Sequence, residues 1–227
     1  MIGGDPLLSA ILLTLALAAS VTVVLLMIGS PLAWWLARSQ WRGKEAVGAV
    51  VSLPLVLPPT VLGFYLLLAL GPNGPGGAIA GLWGARTLAF SFGGLVIGGA
   101  IASLPFMVQP LRNAFAAIDE DVMEAADTLG ASARQRFVRV VLPLAMPGYL
   151  VGAIMAFAHT MGEFGVVLMI GGNIPGQTKV LSIAIYDFVE RLEWEKAHIV
   201  AGSMVAFAFL VIFSTLMIGR RSKGSAG

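Results

Sequence analysis

The sequence of 227 residues contains no cysteine and only two histidines, His159 and His198. The absence of cysteine excludes disulfide bonds, thiolate metal sites and a cysteine nucleophile. The two histidines are far apart and fall in different predicted helices, so neither a metal cluster nor a catalytic triad is visible. The phosphate-binding pattern G-x-x-x-x-G-K-[S/T] is also missing, and the chain therefore cannot bind ATP by that device. We predict no catalytic residue, no metal site and no cofactor.

Charge is also scarce, because only 11% of the residues are charged while 58% are hydrophobic. The mean hydropathy of +0.90 lies outside the usual range of soluble domains. Five stretches without a charged residue exceed the roughly 20 residues that a membrane-spanning helix needs. We predict an all-α, polytopic membrane helix bundle in a single domain. Its five predicted helices lie near residues 8–36, 46–70, 88–111, 143–170 and 198–219.

The segment 178–197 is apolar at its start but carries several charged residues towards its end. This mixture is too charged to span a bilayer and favours a re-entrant or interfacial helix on the outer side. Its charged end is a candidate contact for an external protein, although a solvated helix end is the commoner explanation of such charges. If the apolar start enters the bilayer, the chain has a sixth crossing.

Lysine and arginine predict the orientation, because they collect in cytoplasmic connections. In the five-helix scheme ten of these residues fall on one side and four on the other. The amino terminus is therefore predicted outside the cell, with residues 112–142 and the carboxyl terminus in the cytoplasm. No positive residue precedes the first apolar run, which disfavours a cleaved signal peptide. The net charge of +2 has no clustered basic face and does not indicate nucleic-acid binding.

The cytoplasmic connection 117–142 has the pattern of two short helices rather than a loose loop. Asp119 is a candidate N-cap of the first helix, Gly130 ends it, and Ser132 is a candidate N-cap of the second. Val122, Met123, Ala126 and Leu129 are expected to form one apolar face. Such a face docks on lipid or in a groove of another protein, and the acidic start favours a protein.

Within this connection the letters EAADTLG at 124–130, followed by VVLP at 140–143, resemble the EAA motif of type I ABC-importer permeases. The residues that carry the resemblance are Glu124, Ala125, Ala126, Gly130, Leu142 and Pro143. It implies the type I ABC-importer permease fold over residues 8–219, coupling helices in 117–142 and a flexible tail at 220–227. It also implies two copies of a cytoplasmic ABC ATPase that hydrolyse the ATP, with Glu124 facing the ATPase and Gly130 permitting the turn between the helices.

Three further blocks resemble the molybdate permease subfamily: GEFG at 162–165, GGNIPGQT at 171–178 and SIAIY at 182–186. Sulfate permeases share the first two blocks, and the third favours molybdate or tungstate over sulfate. The resemblance implies a multi-pass permease subunit in a bacterial inner membrane, surrounded by lipid and paired with a second copy of itself. A periplasmic or extracellular oxyanion-binding protein is implied as the partner that delivers the substrate.

His159 and Glu163 are ionisable residues four positions apart in the fourth predicted helix, and they therefore share one helical face. Ionisable groups inside a membrane mark a transport pathway or a paired structural site, and both interpretations remain open. A carboxylate repels an anion, so Glu163 is a better candidate for a gate than for a substrate ligand. A gradient-driven transporter with these two residues as a proton relay is the alternative. Such transporters usually contain paired repeats, and the sequence has only short Leu-Pro recurrences.

Overall fold

The computed structural model describes residues 5–224, and it describes side-chain surroundings as far as residue 216. Every regular element in these residues is helical, as the composition predicts. The eleven α-helices are α1 Pro6–Arg38, α2 Lys44–Ser52, α3 Pro59–Leu70, α4 Pro75–Ala80, α5 Phe92–Ala116, α6 Glu120–Thr128, α7 Ala133–Arg136, α8 Leu142–Gly162, α9 Gly165–Gly171, α10 Leu181–Glu190 and α11 Trp194–Gly224. The other helical elements are two short 3₁₀ turns, Leu53–Leu55 and Gly81–Trp83, and a π-helical turn, Phe137–Val141.

Four helical segments are long and apolar enough to cross a membrane: Pro6–Arg38, Phe92–Ala116, Ala133–Gly162 and Trp194–Leu216. A fifth crossing is formed if the bent pair Lys44–Leu55 and Pro59–Leu70 counts as one span. With the bent pair counted as one span, the number of crossings agrees with the predicted five, and no sixth spanning helix occurs between residues 5 and 224. The tail predicted over 220–227 continues α11 as far as Gly224, and its last three residues lie outside the described range.

The prediction of one continuous second helix over 46–70 is wrong. The chain bends by 109° between Leu55 and Pro59. Pro58 and Pro59 explain the break, because a proline lacks the N–H of a helical hydrogen bond and forces the preceding residue out of the helical region. Pro58 itself has an extended ψ of 131° before α3 begins. The two prolines thus break the helix, although the stretch without charged residues continues across the break.

The fourth predicted helix, 143–170, is also wrong at both ends. The spanning segment begins at Ala133, ten residues earlier, and passes through the π-helical turn before α8. A π-turn accommodates a local change in hydrogen bonding inside an otherwise continuous helix, and so Pro143 lies within the span instead of opening it. At the other end α8 stops at Gly162, and Glu163 and Phe164 separate it from α9.

Helix α5 lies at the centre of the bundle and packs against both α1 and α8. Gly152 of α8 approaches the backbone of Met107 so closely that an added Cβ would lie 3.1 Å from the Met107 carbonyl oxygen. Gly99 of α5 faces Val21 of α1, where an added Cβ would lie 3.0 Å from a valine methyl group. Small residues permit this close approach in a membrane, where lipid provides no hydrophobic drive between helices.

The segment after α9 folds back onto the end of the bundle opposite α6 and α7. Helix α10 is joined to α1 by the backbone N–H of Leu181, which donates a hydrogen bond of 2.8 Å to the buried hydroxyl of Thr14. Asp187 of α10 is buried and forms an ion pair with Lys179 and a hydrogen bond of 2.8 Å from Asn173. These contacts agree with the predicted short helix in 178–197 that does not span the membrane.

Candidate coupling loop and broken-helix junction

Helices α6 and α7 form a compact pair whose ends are capped by their own side chains. Asp119 accepts a hydrogen bond of 3.2 Å from the backbone N–H of Asp121 at the start of α6. Ser132 and Gln135 form a reciprocal capping box at the start of α7, with distances of 3.3 and 2.9 Å. Both predicted N-caps are present, because serine and aspartate at these positions satisfy backbone donors locally.

Gly130 makes the turn between the two helices. Its φ of +74° lies in the left-handed region, which glycine adopts without steric cost. An added Cβ at this position would meet no atom within 4 Å. The requirement for glycine therefore comes from the backbone conformation alone. An ion pair between Arg136 of α7 and Asp127 of α6 closes the same turn.

The exposed surface of α6 carries the first residues of the EAA motif. Glu124 and Ala125 are exposed, whereas Ala126 is buried against the bundle. The predicted single apolar face is wrong, because Leu129 is 86% exposed while Met123 packs against the hydrophobic core. Leu129 lies just beyond the last helical residue, where its side chain leaves the face that Met123 and Ala126 share. Glu124 and Leu129 therefore both lie on the exposed surface of this loop.

The last two motif residues lie in a different element. Leu142 and Pro143 occupy the first turn of α8, where Leu142 is half-buried and Pro143 is exposed. Arg38 at the end of α1 fixes the other side of the loop, because its guanidinium donates hydrogen bonds of 3.0 and 2.7 Å to the carbonyl oxygens of Phe115 and Ile118. The loop is thus connected to α1, α5 and α8.

The short helices α3 and α9, each of which follows a break in the chain, contact each other away from this loop. At the start of α9, an added Cβ on Gly165 would lie 2.7 Å from the Cβ of Pro59, at the start of α3. One turn further along, an added Cβ on Gly63 would lie 2.8 Å from the Cβ of Met169. We call the contact of α3 with α9 the broken-helix junction. Irregular backbone at membrane depth is tolerated only where it is buried in protein or lines a water-filled cavity.

Replacement of Gly63 by valine is expected to lower stability, because its side chain would collide with Met169 and with the backbone of Val166. Over-packing of a well-packed site costs about 1–3 kcal/mol. Thermal unfolding of the purified protein in detergent measures the effect. Gly202→Ala is the matched control, since a Cβ there meets no atom within 4 Å. Equal unfolding temperatures for Gly63→Val and the wild type would contradict close packing at the junction.

His159 and Glu163 lie beside this junction, and they are joined to residues of a second helix. The Nε2 atom of His159 is 3.8 Å from the Oε2 atom of Glu163, an ion pair only when the histidine is protonated. The Nδ1 atom of His159 is 3.0 Å from the hydroxyl of Ser103, which is 2.8 Å from the hydroxyl of Thr160. The imidazole also stacks on Phe106 at 4.0 Å between ring centroids. We call these residues the His159 cluster.

Glu163 has a structural contact as well as a charge. It is 7% exposed, and its Oε1 atom accepts a hydrogen bond of 3.0 Å from the backbone N–H of Val166. Its own carbonyl oxygen accepts a hydrogen bond of 2.8 Å from the hydroxyl of Ser182 in α10. Glu163 therefore connects the end of α8 to the start of α9 and to α10. Both interpretations from the sequence, a gate and a structural pair, are compatible with this position.

Sequence reasoning missed Ser103, Thr160 and Phe106. Ser103 and Thr160 are 57 positions apart and fully enclosed. Their only signal in the sequence is a hydroxyl inside an apolar run, which several other serines and threonines share. Within the described residues no group of three histidine, aspartate or glutamate side chains is arranged to hold a metal ion.

The helical bundle resembles a solved bacterial ABC transporter over nearly the whole length of the chain. The crystal structure of a bacterial alginate ABC transporter in complex with an alginate pentasaccharide-bound periplasmic protein superposes with a TM-score of 0.72. The match covers 96% of this chain and 80% of the other at 19% identity. The helical arrangement, with its exposed pair α6 and α7, thus has the fold of type I ABC-importer permeases. This confirms the predicted fold.

The chain belongs to the family of inner membrane components of binding-protein-dependent transport systems, whose model matches residues 29–221. It is 57% identical over 216 residues to the molybdenum transport system permease protein ModB of Azotobacter vinelandii, covering 95% of each chain. It is 32% identical over 215 residues to the probable sulfate transport system permease protein cysT of Chlorella vulgaris, covering 94% of this chain and 79% of the other. The family predicted from the EAA motif is confirmed, and the chain is a multi-pass inner membrane transport subunit rather than an enzyme.

Proposed function

We propose that this protein is the permease subunit of an ATP-driven importer for molybdate or tungstate. The identity of 57% over nearly the whole chain to a molybdenum permease carries the proposal. The lower identity of 32% to a sulfate permease makes sulfate the second candidate. Molybdate, tungstate and sulfate are all tetrahedral and doubly charged, so the same kind of pathway could conduct any of them.

Two copies of the chain are proposed to form the pathway, with an ATPase bound to each coupling loop. The exposed residues Glu124, Ala125 and Leu129, together with Gly130, form a surface that can enter a cleft of the ATPase. Closure of two ATPase copies would then move α6 and α7 and, through Arg38 and the first turn of α8, the spanning helices. Leu142 and Pro143 act in that transmission.

The orientation follows from the charges. The excess of lysine and arginine on the coupling-loop side, ten residues against four, supports an orientation with that side in the cytoplasm, the amino terminus outside and the carboxyl terminus inside. Helix α10 and the start of α11 then face the periplasm. This surface, which carries Arg191, Glu193 and Lys196, is proposed to receive an oxyanion-binding protein, as a periplasmic protein is bound in the alginate transporter.

Co-purification of a tagged chain from membranes, followed by uptake of labelled molybdate, tests the proposal. Glu124→Lys is expected to lose the ATPase and uptake while remaining in the membrane, because charge reversal opposes docking at the exposed surface. Glu45→Lys is the matched control, an exposed glutamate of α2 that lies outside both proposed docking surfaces. Both variants should be present in membranes at the wild-type level.

Three outcomes would contradict parts of the proposal. Normal uptake by Glu124→Lys would remove the role of that residue in docking. Uptake of sulfate with no competition by molybdate would favour the second candidate. A pure protein without ATPase that transports in liposomes under a proton gradient would favour a gradient-driven transporter with His159 and Glu163 as its relay.

A further inference from the structure

A groove of about 410 Å³ lies between α5 and α8, and the 3₁₀ turn before the broken-helix junction contributes to its wall. Its lining residues are Leu55, Pro105, Phe106, Gln109, Pro110, Asn113, Val151 and Met155. Phe106, Gln109 and Asn113 share one face of α5, since they are spaced by three and four residues. Val151 and Met155 continue to His159 on α8 at a spacing of four. We call this space the α5–α8 groove.

The groove begins at the His159 cluster and leads towards the coupling loop. Phe106 lines the groove and also stacks on His159 at 4.0 Å. Gln109 precedes the last residue of α5 by seven positions, about 10 Å along the helix axis at 1.5 Å per residue. Asn113 lies one turn closer to the coupling loop. The groove therefore connects the middle of the bundle with its cytoplasmic end.

The two amides in this groove are costly if they face lipid. Gln109 and Asn113 are exposed in the single chain, on a spanning helix whose more distant exposed positions are Ile97 and Ile101. A polar group in hydrocarbon without a partner is unfavourable by several kcal/mol. The change from exposed isoleucines to exposed amides along α5 indicates that this half of the helix faces water or protein.

Hydrogen bonding within the chain leaves the Gln109 amide with donor capacity. Its Nε2 atom donates one long hydrogen bond of 3.4 Å to the hydroxyl of Ser52. That hydroxyl in turn donates to the carbonyl oxygen of Gly48 at 2.9 Å. A side-chain amide has two N–H donors, and the bond to Ser52 uses one of them near the limit of a hydrogen bond.

The groove also lacks negative charge along its described lining. None of its eight lining residues is acidic. Glu45 of α2 is held by Arg112 at 3.6 Å. Glu163 is directed to the backbone N–H of Val166 and to His159, beyond the Phe106 end of the groove. An anion that enters the groove therefore meets neutral donors, without a facing carboxylate that would repel it.

We propose that the amide N–H groups of Gln109 and Asn113 bind the transported tetrahedral oxyanion in the cytoplasmic half of its path. This inference rests on the proposed import function and assigns specific residues to it. Neutral donors suit a transient site, because conduction requires binding strong enough for entry and weak enough for release. A lysine or arginine here would hold a divalent anion more tightly.

The test uses the complete complex of permease, ATPase and binding protein, reconstituted in liposomes, and measures molybdate uptake per assembled complex. Gln109→Glu is nearly isosteric but places a carboxylate in the groove, and uptake should fall about tenfold or more by charge repulsion. Gln109→Leu removes the donors without adding charge and should lower uptake about fivefold. Gln109→Asn retains an amide and should recover part of it. Gln40→Glu, an exposed amide outside the spanning helices, is the control for the added charge.

ATP hydrolysis stimulated by the loaded binding protein distinguishes the proposed anion site from the proposed import function. If stimulated hydrolysis is normal and uptake decreases from the wild type through Gln109→Asn and Gln109→Leu to Gln109→Glu, the result supports anion binding by the amide.

Four other outcomes would contradict one of the two proposals. Wild-type uptake by both Gln109→Glu and Gln109→Leu would overturn anion binding by the amide and leave the import function intact. Loss of the two-copy assembly in Gln109→Leu, with unchanged uptake per remaining complex, would also overturn it by showing a contact between copies. If Gln109→Glu fails to assemble, equal uptake by the Leu and Asn variants overturns the inference. Absence of molybdate uptake in the wild-type complex would refute the proposed function itself.

Discussion

Gly130→Val is expected to abolish ATP-driven uptake while the protein still inserts into the membrane and keeps its helical bundle. Valine has a branched Cβ, and the φ of +74° at this position is unfavourable for it. A left-handed conformation costs a residue with a Cβ about 1–2 kcal/mol. Because Gly130 lies in an exposed turn at the edge of the bundle, the strain is relieved by reshaping the turn rather than by unfolding the core.

The reshaped turn would displace α7 relative to α6, together with the exposed surface of Glu124 and Leu129. A change of 1.4 kcal/mol alters a binding constant about tenfold. The measurement is the amount of ATPase that co-purifies with equal amounts of permease, followed by uptake. Gly130→Asn is the matched variant, since asparagine adopts the left-handed region more readily than other residues with a Cβ. Equal ATPase binding by Gly130→Val and the wild type would show that the turn is not needed for docking.

Glu163→Gln is expected to reduce uptake about tenfold or more while the complex with the ATPase still assembles. The glutamine oxygen can still accept the hydrogen bond from Val166, so the start of α9 is retained. The charge opposite His159 is lost, and the Val166 N–H then donates to a neutral acceptor, whereas a hydrogen bond to a charged group contributes about 1.5–3 kcal/mol. If the junction of α8 and α9 moves during transport, that charge sets the balance between its positions.

Glu163→Ala removes both the charge and the hydrogen-bond acceptor, and it should also lower the unfolding temperature. A buried backbone donor left without its partner costs about 1–3 kcal/mol. Glu45→Gln is the control, because Glu45 is exposed on α2, outside the junction and both proposed docking surfaces. Loss of the assembled complex in Glu163→Gln would assign the residue a purely structural role. Wild-type uptake and assembly in this variant would show that its charge has no part in transport.

The coupling loop was predictable from the sequence almost residue by residue, because its structure depends on local interactions. Asp119 and Ser132 cap helices through backbone groups two or three residues away, and Gly130 supplies a conformation that only a few residues adopt. The outward position of Leu129 was not predictable. It depends on where α6 ends against the bundle, and a helix end is the least certain feature of a local pattern.

The broken spans show why an apolar pattern does not define a helix in a membrane. Residues 46–70 contain no charged residue, so neither half of the bent pair is excluded from the membrane by charge. The prolines at 58 and 59 gave a signal of a break, but the angle of 109° depends on how α3 packs against α9. Gly63 and Gly165 allow that packing, and their partners are about a hundred residues away in the sequence.

The sequence by itself determined that this protein lies in a membrane, how many times it crosses that membrane and to which family it belongs. Long charge-free runs must leave water, and the spaced motif at 124–143 is carried by neighbouring residues. The tertiary structure alone decided that Ser103 meets His159 and Thr160, that two interrupted helices touch, and that Gln109 and Asn113 line the α5–α8 groove. These contacts join residues far apart in the chain. Their formation depends on the packing of whole helices, which no local pattern of residues records.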